Sequence, residues 1–512
     1  MNKFMNGINV MENTITTENG ATAYSSTLTA LYDMFALGGS YRSRSDDDCI
    51  FLFKKAFEEN EPYALKCLFY LRDVRGGQGE RRFFRVCMKW LATQNIDAAK
   101  RNLKYVPEFG RWDDLYLFVG TPCQDEAFKF MKEQLALDLT CKTPSLLAKW
   151  LKSENTSSQE SRELASKTRR YLGMTSKQYR KTLSVLRERI NVLERLMSAG
   201  KWDEIEFDKI PSRAGFLYKN AFARHDVERA KAGAKTYEDF AKDTTTKVNA
   251  KTLYPYECVE KAREAMGCGY SWFGYRTPTV NTVDRLMVNK YWENLADYIN
   301  GAAFNGIAIV DTSGSMCGSG YGNRTVAPID VAISIGMYCA EKNRGPYAGH
   351  FLTFNSQPKF MKVEGIDFCD KVSRILQAPW GGSTNIEAAF DLILQIAIDN
   401  NCSSDEIPQN LIVISDMEFN SCVTSNNYRF SATDASLFEK MRAKWESYGY
   451  KMPKLVFWNV DARQDNFAMK DEKNVSYVSG FSPVLFEQIM KGKTAQDLMY
   501  DKLNDKRYAC IK

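Results

Sequence analysis

Residues 304–315, FNGIAIVDTSGS, decide the fold of the second half of this chain. An apolar run of strand length ends at Asp311 and is followed at once by the hydroxyl-bearing loop TSGS. Two further polar residues follow downstream. Thr384 lies in the glycine turn GGSTN, and Asp416 directly follows a second apolar run, LIVIS. Carboxylate and hydroxyl oxygens suit a hard divalent cation such as Mg²⁺. The sequence therefore predicts a metal site whose ligands are Asp311, Ser313, Ser315, Thr384 and Asp416.

Strand and helix signals alternate through this half of the chain. Short apolar runs at 304–310, 349–354, 411–415 and 454–460 are separated by segments with helical spacing of apolar residues. Continuous apolar strands indicate a parallel sheet covered by helices, and ligands bind at the carboxyl ends of such strands where the strand order reverses. Asp and Ser are also ordinary turn formers after a strand, so the metal prediction depends on all three pieces in order.

The order of these pieces resembles the von Willebrand factor A domain, in which a metal-ion-dependent adhesion site (MIDAS) lies at the strand ends. The resemblance implies a doubly wound, Rossmann-like α/β domain with Mg²⁺, or another divalent cation, as its cofactor. A partner protein's carboxylate would complete the coordination without catalysis. Many relatives have an acidic residue directly after the glycine-turn threonine, where this chain has Asn385. With one carboxylate fewer, we expect weaker or more conditional metal binding.

Length and composition limit the class of protein. A chain of 512 residues is expected to form two or more domains, and 44% hydrophobic with 26% charged residues is typical of a soluble globular protein. The sequence has no run of about eighteen apolar residues and no signal-peptide region, so we expect a cytoplasmic or, if virally encoded, virion-associated protein without membrane segments. Its 13 cysteines form no CxxC pair and accompany only 2 histidines, which argues against zinc and disulfide frameworks.

Residues 47–300 have apolar side chains at spacings of three and four, which is typical of helices. Short breakers such as Glu61-Pro62, Gly110 and Thr121-Pro122 separate the helical segments. Helix pairs repeating in this way predict an all-α, HEAT-like solenoid. We therefore expect a multidomain protein with a flexible N-terminal arm at 1–24, a helical-repeat domain at 25–300 and the α/β domain at 301–512.

Positive charge is concentrated in the helical half. Residues 1–300 contain 47 Lys and Arg against 39 Asp and Glu, whereas residues 301–512 contain 22 against 24. The excess is steepest between Arg162 and Lys235, where 18 basic residues accompany 9 acidic ones. Such a basic stripe is typical of a protein that binds a phosphate backbone. Solvated helix faces whose lysines and arginines contact no ligand would produce the same pattern.

Four motifs in the helical half resemble a second family. They are LFYLRDVRGGQGERR at 68–82, YVPEFGRWDDLY at 105–116, LLAKWLKS at 146–153 and IPSRAGFLYKNAFARHDVER at 210–229. They are similar to uncharacterised bacterial and viral proteins related to the TROVE-domain, or Ro ribonucleoprotein, family, in which a helical-repeat domain precedes a von Willebrand A domain. The resemblance covers most of the chain. It implies a ring-shaped RNA-binding protein of small noncoding-RNA particles, acting as a monomeric ring or within a larger assembly.

Two groups of basic residues are candidates for contacts with RNA phosphates. The first flanks a turn in which Gly76, Gly77 and Gly79 would permit positive φ angles, and its members are Arg72, Arg75, Arg81 and Arg82. In the alternative for this group, Arg72 pairs with Asp73 or Asp114 and only fixes adjacent helices. The second group recurs at helical spacing and comprises Arg169, Arg170, Lys177, Arg180 and Lys181.

Aromatic residues and one histidine complete the candidates. Tyr171 and Tyr179 lie among the second basic group and would stack on bases if exposed, although they could equally be buried. Trp112 is expected to pack between helices. His225 is expected to be structural, since no Ser or Cys nucleophile motif accompanies it.

Three functions agree with these patterns to different degrees. The first, which we favour, is a non-enzymatic RNA-binding scaffold whose basic helical ring binds small noncoding or structured RNA, and whose adhesion site binds a protein partner. The second is a structural or protein-interaction component of a larger, virus-related assembly that binds no RNA. The third, a metal-dependent hydrolase, has little support because no second carboxylate cluster, histidine or nucleophile accompanies the metal-site residues.

Overall fold

The structure, a computed structural model, describes residues 13–18, 20–266, 282–301, 303–317, 326–355, 357–376, 385–419, 437–469, 474–490 and 494–512. The chain forms two compact units. One comprises residues 1–67 and 253–505 and contains the larger β-sheet, and we call it the α/β unit. The other, which we call the helical unit, comprises residues 68–252 and 506–512.

The N-terminal segment of the α/β unit is folded in its described residues. Strands β1 (Thr14–Thr16) and β2 (Thr22–Tyr24) form an antiparallel hairpin, and Tyr24 exchanges backbone hydrogen bonds of 2.9 and 2.7 Å with Phe467. The prediction of a flexible arm is corrected for these residues, because this pairing fixes the hairpin within its own unit. Three helices follow, namely α1 (Ala30–Leu37), α2 (Asp46–Glu59) and α3 (Glu61–Arg72), the last of which crosses the division between the units.

The helical unit is all-α in its named elements, as predicted. After α3, its described residues form α4 (Arg82–Gln94), α5 (Ile96–Leu103), α6 (Val106–Phe109), α7 (Gln124–Thr140), α8 (Leu147–Trp150), α9 (Gln159–Tyr171), α10 (Ser176–Arg189), α11 (Leu193–Ser198), α12 (Ser212–Arg224), α13 (Asp226–Lys231) and α14 (Tyr237–Lys242). Short 3₁₀ helices at Trp112–Phe118 and Phe207–Lys209 connect some of them.

The glycine turn after α3 is needed for space as well as for backbone angles. Gly79 has the predicted positive φ, 65°. At Gly77, by contrast, a Cβ atom would lie 2.0 Å from the carbonyl oxygen of Tyr70. A side chain at Gly77 would therefore force the turn away from α3, which explains why the close approach requires glycine.

Within the part of the chain that the structure describes, six strands form the larger sheet of the α/β unit: β3 (Gly306–Asp311), β4 (His350–Phe354), β5 (Lys359–Lys362), β6 (Asn410–Ser415), β7 (Lys454–Asn459) and β8 (Val475–Ser479). Their order is β5-β4-β3-β6-β7-β8, and all neighbours are parallel except β4 and β5. All six residues of β3 are buried, as the continuous apolar sequence predicts. The predicted doubly wound, von Willebrand A-like architecture is confirmed, with the strand order reversing between β3 and β6.

The described residues of the α/β unit form eight more α-helices: α15 (Pro255–Met266), α16 (Thr282–Glu293), α17 (Pro328–Lys342), α18 (Phe368–Leu376), α19 (Ile386–Asp399), α20 (Leu437–Ser447), α21 (Leu485–Ile489) and α22 (Ala495–Leu503). The first two precede the predicted domain boundary. Even so, Arg263 on α15 donates to both carboxylate oxygens of Asp330 on α17, at 2.8 and 2.6 Å. Trp292 on α16 stacks on Phe368 of α18 with ring centroids 4.1 Å apart.

The compact units divide after residues 67, 252 and 505. The predicted domain boundaries at 24/25 and 300/301 do not coincide with these divisions, because the hairpin and the helices α15 and α16 pack within the α/β unit. The boundaries stay predictions about sequence domains. Among the described helices, none combines the length and the apolar character needed to span a lipid bilayer.

Candidate functional site

The carboxyl ends of β3 and β6 lie side by side. The two strands are parallel neighbours, with Val310 aligned opposite Ile414, so Asp311, the last residue of β3, and Asp416, the first residue after β6, lie at the same edge of the sheet. Ser415 Oγ donates a hydrogen bond of 2.5 Å to Asp311 Oδ2 across the two strands. The structure thus brings together Asp311 and Asp416, the two predicted ligands that lie furthest apart in the sequence. They meet where the strand order reverses, which is where ligands bind in sheets of this type.

The loop after β3 is held in a defined conformation. Ser313 N donates to Asp311 Oδ1 at 2.9 Å, and the hydroxyl oxygens of Ser313 and Ser315 lie 3.1 Å apart. Thr312 Oγ1 donates to the carbonyl oxygen of Phe354 at the end of β4, at 3.1 Å. Three predicted ligands, Asp311, Ser313 and Ser315, therefore share one short loop that is tied to the neighbouring strand.

Two buried carboxyl groups share this end of the sheet. Asp311 is fully buried and Asp416 is 1% exposed. Burial, together with the negative charge of Asp416, raises the pKa of Asp311 to about 7. A divalent cation would stabilise the ionised form of Asp311, which burial disfavours. The side chains of Asp311, Ser313, Ser315 and Asp416 would all bind such an ion through oxygen atoms. The residues present therefore fit a Mg²⁺ ion.

The remaining predicted metal residue, Thr384, lies outside the described residues. Asn385, which follows it, caps α19 by accepting a 3.2 Å hydrogen bond from Ala388 N. The amide side chain at this position thus has a structural use as the N-cap of α19. Within the described ranges no group of three or more His, Cys, Asp or Glu residues is arranged to hold a metal. Any metal site here depends on hydroxyl and water oxygens as well.

Sequence reasoning missed an ion-pair network around Asp416. Arg463 Nη2 donates to Asp416 Oδ2 at 2.8 Å, and its Nη1 donates to Glu18 Oε2 at 2.6 Å. Glu418 is fully buried, and its Oε1 accepts a 2.9 Å hydrogen bond from Asn466 Nδ2. Burial raises the pKa of Glu418 above its ordinary value. All these residues belong to the α/β unit.

Part of this network had a sequence signal. Glu418 stands two residues after Asp416, so an acidic pair beyond β6 was visible in the sequence. Arg463 follows β7, which is the parallel neighbour of β6, and its proximity could be inferred only from the strand order. Glu18 lies 400 residues before Glu418 in the sequence, and no local sequence pattern indicates that the two residues are close in the fold.

The first group of basic residues divides into structural and surface members. Arg72 is 2% exposed and donates to Asp114 Oδ2 from Nε at 2.9 Å and from Nη2 at 2.6 Å. Its RNA assignment is corrected to a structural role, because a buried guanidinium paired in this way is inaccessible to a phosphate. Arg81 also pairs with Asp114 and with Asp113, at 3.1 and 2.6 Å. Arg75 is exposed, and Arg82 is half-buried.

The second group lies on α9 and α10. Arg169 is half-buried, and its Nε donates to Glu154 Oε1 at 2.8 Å. The other four side chains, Arg170, Lys177, Arg180 and Lys181, are exposed. We call these four the α9–α10 basic surface.

The two tyrosines of this region differ. Tyr171 is 37% exposed but stacks on Phe128 with centroids 4.3 Å apart. Tyr179 is buried and donates a 2.7 Å hydrogen bond to the carbonyl oxygen of Lys152. Tyr179 is thus part of the core of the helical unit, whereas Tyr171 is partly exposed.

Trp112 and His225 have packing partners. Trp112 stacks on Phe130 with centroids 5.5 Å apart. His225 stacks on Trp202 with ring centroids 3.7 Å apart, and its Nδ1 lies 2.8 Å from Glu228 Oε2. Both residues therefore make structural contacts of the kind that the sequence indicated.

The fold and the strand-end site define a protein with a helical unit and a von Willebrand A-like α/β unit. A domain of unknown function, DUF2828, matches residues 17–146 and 138–302, and a second, DUF7788, matches residues 305–508. The chain is also 32% identical over 523 residues to the uncharacterized protein L728 of Acanthamoeba polyphaga mimivirus, covering 94% of this chain and 86% of that protein. The chain belongs to the DUF2828 family, and the predicted kinship with uncharacterised viral proteins is confirmed.

One solved structure is similar over nearly the whole chain. The crystal structure of the Deinococcus radiodurans RO (RSR) protein matches 93% of this chain and 99% of its own, with 14% sequence identity and a TM-score of 0.43.

Proposed function

We propose that this protein is a non-enzymatic RNA-binding scaffold with a conditional Mg²⁺ site. The α9–α10 basic surface binds the phosphate backbone of RNA. The strand-end site holds Mg²⁺ through Asp311, Ser313 and Ser315, with Asp416 and Thr384 as further ligands, and presents the ion to a carboxylate of a protein partner.

One observation carries the RNA proposal. Lys177, Arg180 and Lys181 stand at positions i, i+3 and i+4 of α10, so they share one helix face, and Arg170 lies in the last turn of α9. Within the described part of the chain, none of the four exposed side chains forms an ion pair. Arg170 and Arg180 donate hydrogen bonds to carbonyl oxygens of their own helices. Unneutralised basic side chains clustered in this way suit a polyanion.

Charge reversal of the four residues to Glu is expected to weaken RNA binding about 100-fold at low salt. Each lost phosphate contact removes counterion release, so the slope of log affinity against log salt should shrink by about 3 for single-stranded RNA. Fluorescence anisotropy with labelled single-stranded and hairpin RNAs, measured across a salt series, checks both numbers.

The matched control reverses four exposed basic residues on α4, α5 and the residue that follows α5: Lys89, Lys100, Arg101 and Lys104. It changes the net charge by the same amount. If both quadruple variants weaken binding equally, the effect is one of overall charge and the assigned surface is wrong. If the unaltered protein binds no RNA at low salt, the protein-interaction alternative takes the place of the RNA proposal.

Asp311→Asn is expected to abolish stabilisation by Mg²⁺ and to leave RNA affinity unchanged. A ligand present at 100 times its Kd stabilises the folded state by about 2.7 kcal/mol, and the substitution removes the carboxylate that holds the ion. Thermal unfolding with and without Mg²⁺ measures the difference. Asp399→Asn, at an exposed position of the same unit, is the control and should keep the full response. An equal response in both variants would remove Asp311 from the metal site.

A further inference from the structure

The ion-pair network around Asp416 places a side-chain cation beside the metal site. The Arg463 guanidinium is 26% exposed and joins Asp416, whose side chain is fully buried, to Glu18, which is 43% exposed. We propose that Arg463 competes with the divalent cation for Asp416 and that Glu18 sets the strength of this competition by holding Arg463. This inference concerns regulation of the Mg²⁺ site and rests on the function proposed above.

Both carboxylate oxygens of Asp416 are engaged in the structure. Oδ2 accepts from Arg463 Nη2 at 2.8 Å, and Oδ1 accepts from Glu418 N at 3.3 Å. A metal ion that uses Asp416 must share or displace the guanidinium, and the positive charge of Arg463 also repels the incoming cation. Metal binding is therefore weaker while Arg463 is paired with Asp416. The network supplies a physical reason for conditional metal occupancy.

Glu18 is positioned independently of Arg463. Its backbone N donates to Glu418 Oε2 at 2.8 Å, and Thr17 Oγ1 donates to the carbonyl oxygen of Phe419 at 2.7 Å. The loop of the β1–β2 hairpin is thus fixed to the segment that follows β6. From this position, the Glu18 carboxylate offers Arg463 an alternative partner when a metal ion takes Asp416. Glu18 is accordingly a positioning residue that acts through Arg463.

The two residues should have opposite effects on metal affinity. Arg463→Gln removes the competing charge, so the Kd for Mg²⁺ should fall about tenfold. Glu18→Gln leaves Arg463 with Asp416 as its main partner, so that Kd should rise severalfold. Because Glu18 acts through Arg463, the double variant should match Arg463→Gln alone. A purely structural role would instead shift both single variants in the same direction.

Isothermal titration with MgCl₂ on the full chain measures these affinities, and melting temperatures without metal report on folding. Arg463→Lys keeps the charge and should bind Mg²⁺ as the unaltered protein does. Arg374→Gln is the matched control, because Arg374 is exposed on α18 of the same unit and pairs with Asp370 at 3.1 Å. If Arg463→Gln does not fold, Glu18→Gln and Arg463→Lys still test the proposal.

The outcomes separate this inference from the proposed function. Tighter binding in Arg463→Gln, with weaker binding in Glu18→Gln, supports the competition. Unchanged affinity in both, or weaker binding in both, overturns it while leaving a metal site that Asp311→Asn abolishes. Additive effects in the double variant also overturn it, because Glu18 would then act directly on the ion. If neither the unaltered protein nor Arg463→Gln binds Mg²⁺, the metal site itself is wrong, and the competition is overturned with it.

Discussion

Deletion of residues 506–512 is expected to destabilise the helical unit by about 5 kcal/mol or more, because it removes a buried aromatic side chain and the partner of a buried carboxylate. Asp73 is fully buried, and it accepts from Arg507 Nη2 at 2.7 Å and from the hydroxyl of Tyr508 at 3.0 Å. Tyr508 is itself fully buried and stacks on Phe109 with centroids 5.5 Å apart. Without the tail, the buried carboxyl group of Asp73 would lose its arginine partner.

The end of the 506–512 segment is also bound to the helical unit. Lys512 N donates to Asn102 Oδ1 at 2.9 Å, which ties the last residue to α5. Hydrogen–deuterium exchange measured peptide by peptide suits this test, because it reports on the helical unit separately from the α/β unit. Loss of protection should be largest in the peptides that contain Asp73, Asn102 and Phe109.

Two single substitutions calibrate the deletion. Tyr508→Phe removes only the hydroxyl and should cost about 1 kcal/mol. Lys506→Ala, at an exposed position of the same tail, should leave the exchange pattern unchanged. If the truncated protein retains full protection around Asp73, the tail is dispensable and the buried ion pair contributes little.

Asp114→Asn is expected to lower the stability of the helical unit by about 3–5 kcal/mol, since it leaves a buried guanidinium without its counter-ion. Besides the two bonds from Arg72 and one from Arg81, Asp114 Oδ2 accepts from Arg111 N at 3.1 Å. The amide keeps the shape of the side chain but can no longer neutralise Arg72. Urea unfolding followed by exchange of the α3 and α4 peptides measures the loss, and Asp208→Asn, at an exposed position of the same unit, is the control.

The same carboxylate predicts a pH dependence. Burial acts to raise the pKa of Asp114, but the charge and hydrogen bonds of Arg72 and Arg81 outweigh burial and hold that pKa below its ordinary 3.8. A group whose pKa is depressed by folding contributes stability above the unfolded value and loses it as the pH falls through the folded value. The stability gap between the unaltered protein and Asp114→Asn should thus be constant above pH 5 or so and shrink below 3.8.

A double substitution distinguishes a needed charge pair from a merely tolerated one. Replacing a buried pair by apolar residues of similar volume is often neutral, whereas removal of one partner is not. Arg72→Met combined with Asp114→Leu should therefore be more stable than either single substitution. If the double variant is the least stable of the three, the pair contributes net stabilisation through the Arg81 and Arg111 contacts as well.

Local sequence was sufficient wherever the physical cause is local. Continuous apolar runs predicted the buried strands β3 and β6, because a strand covered on both faces has no place for polar side chains. Asp311 and Asp416 were predicted to meet because both directly follow parallel strands, and the register of β3 against β6 brings them to one edge. Helical spacing predicted α9 and α10, and the exposure of Lys177, Arg180 and Lys181 follows from their shared face.

Only the tertiary structure decided which charged residues are buried. The local sequence does not distinguish Arg72 from Arg75. In the fold, Arg72 is buried beside Asp114, whereas Arg75 is exposed. The partners that make the difference are distant, as Arg507 is for Asp73 and Arg463 is for Asp416. A buried charge is stable only when another element supplies its counter-ion, and no periodicity within one segment encodes that element. The Asp-x-Ser-x-Ser motif was therefore evident from the sequence, whereas the arginine beside Asp416 became visible only in the fold.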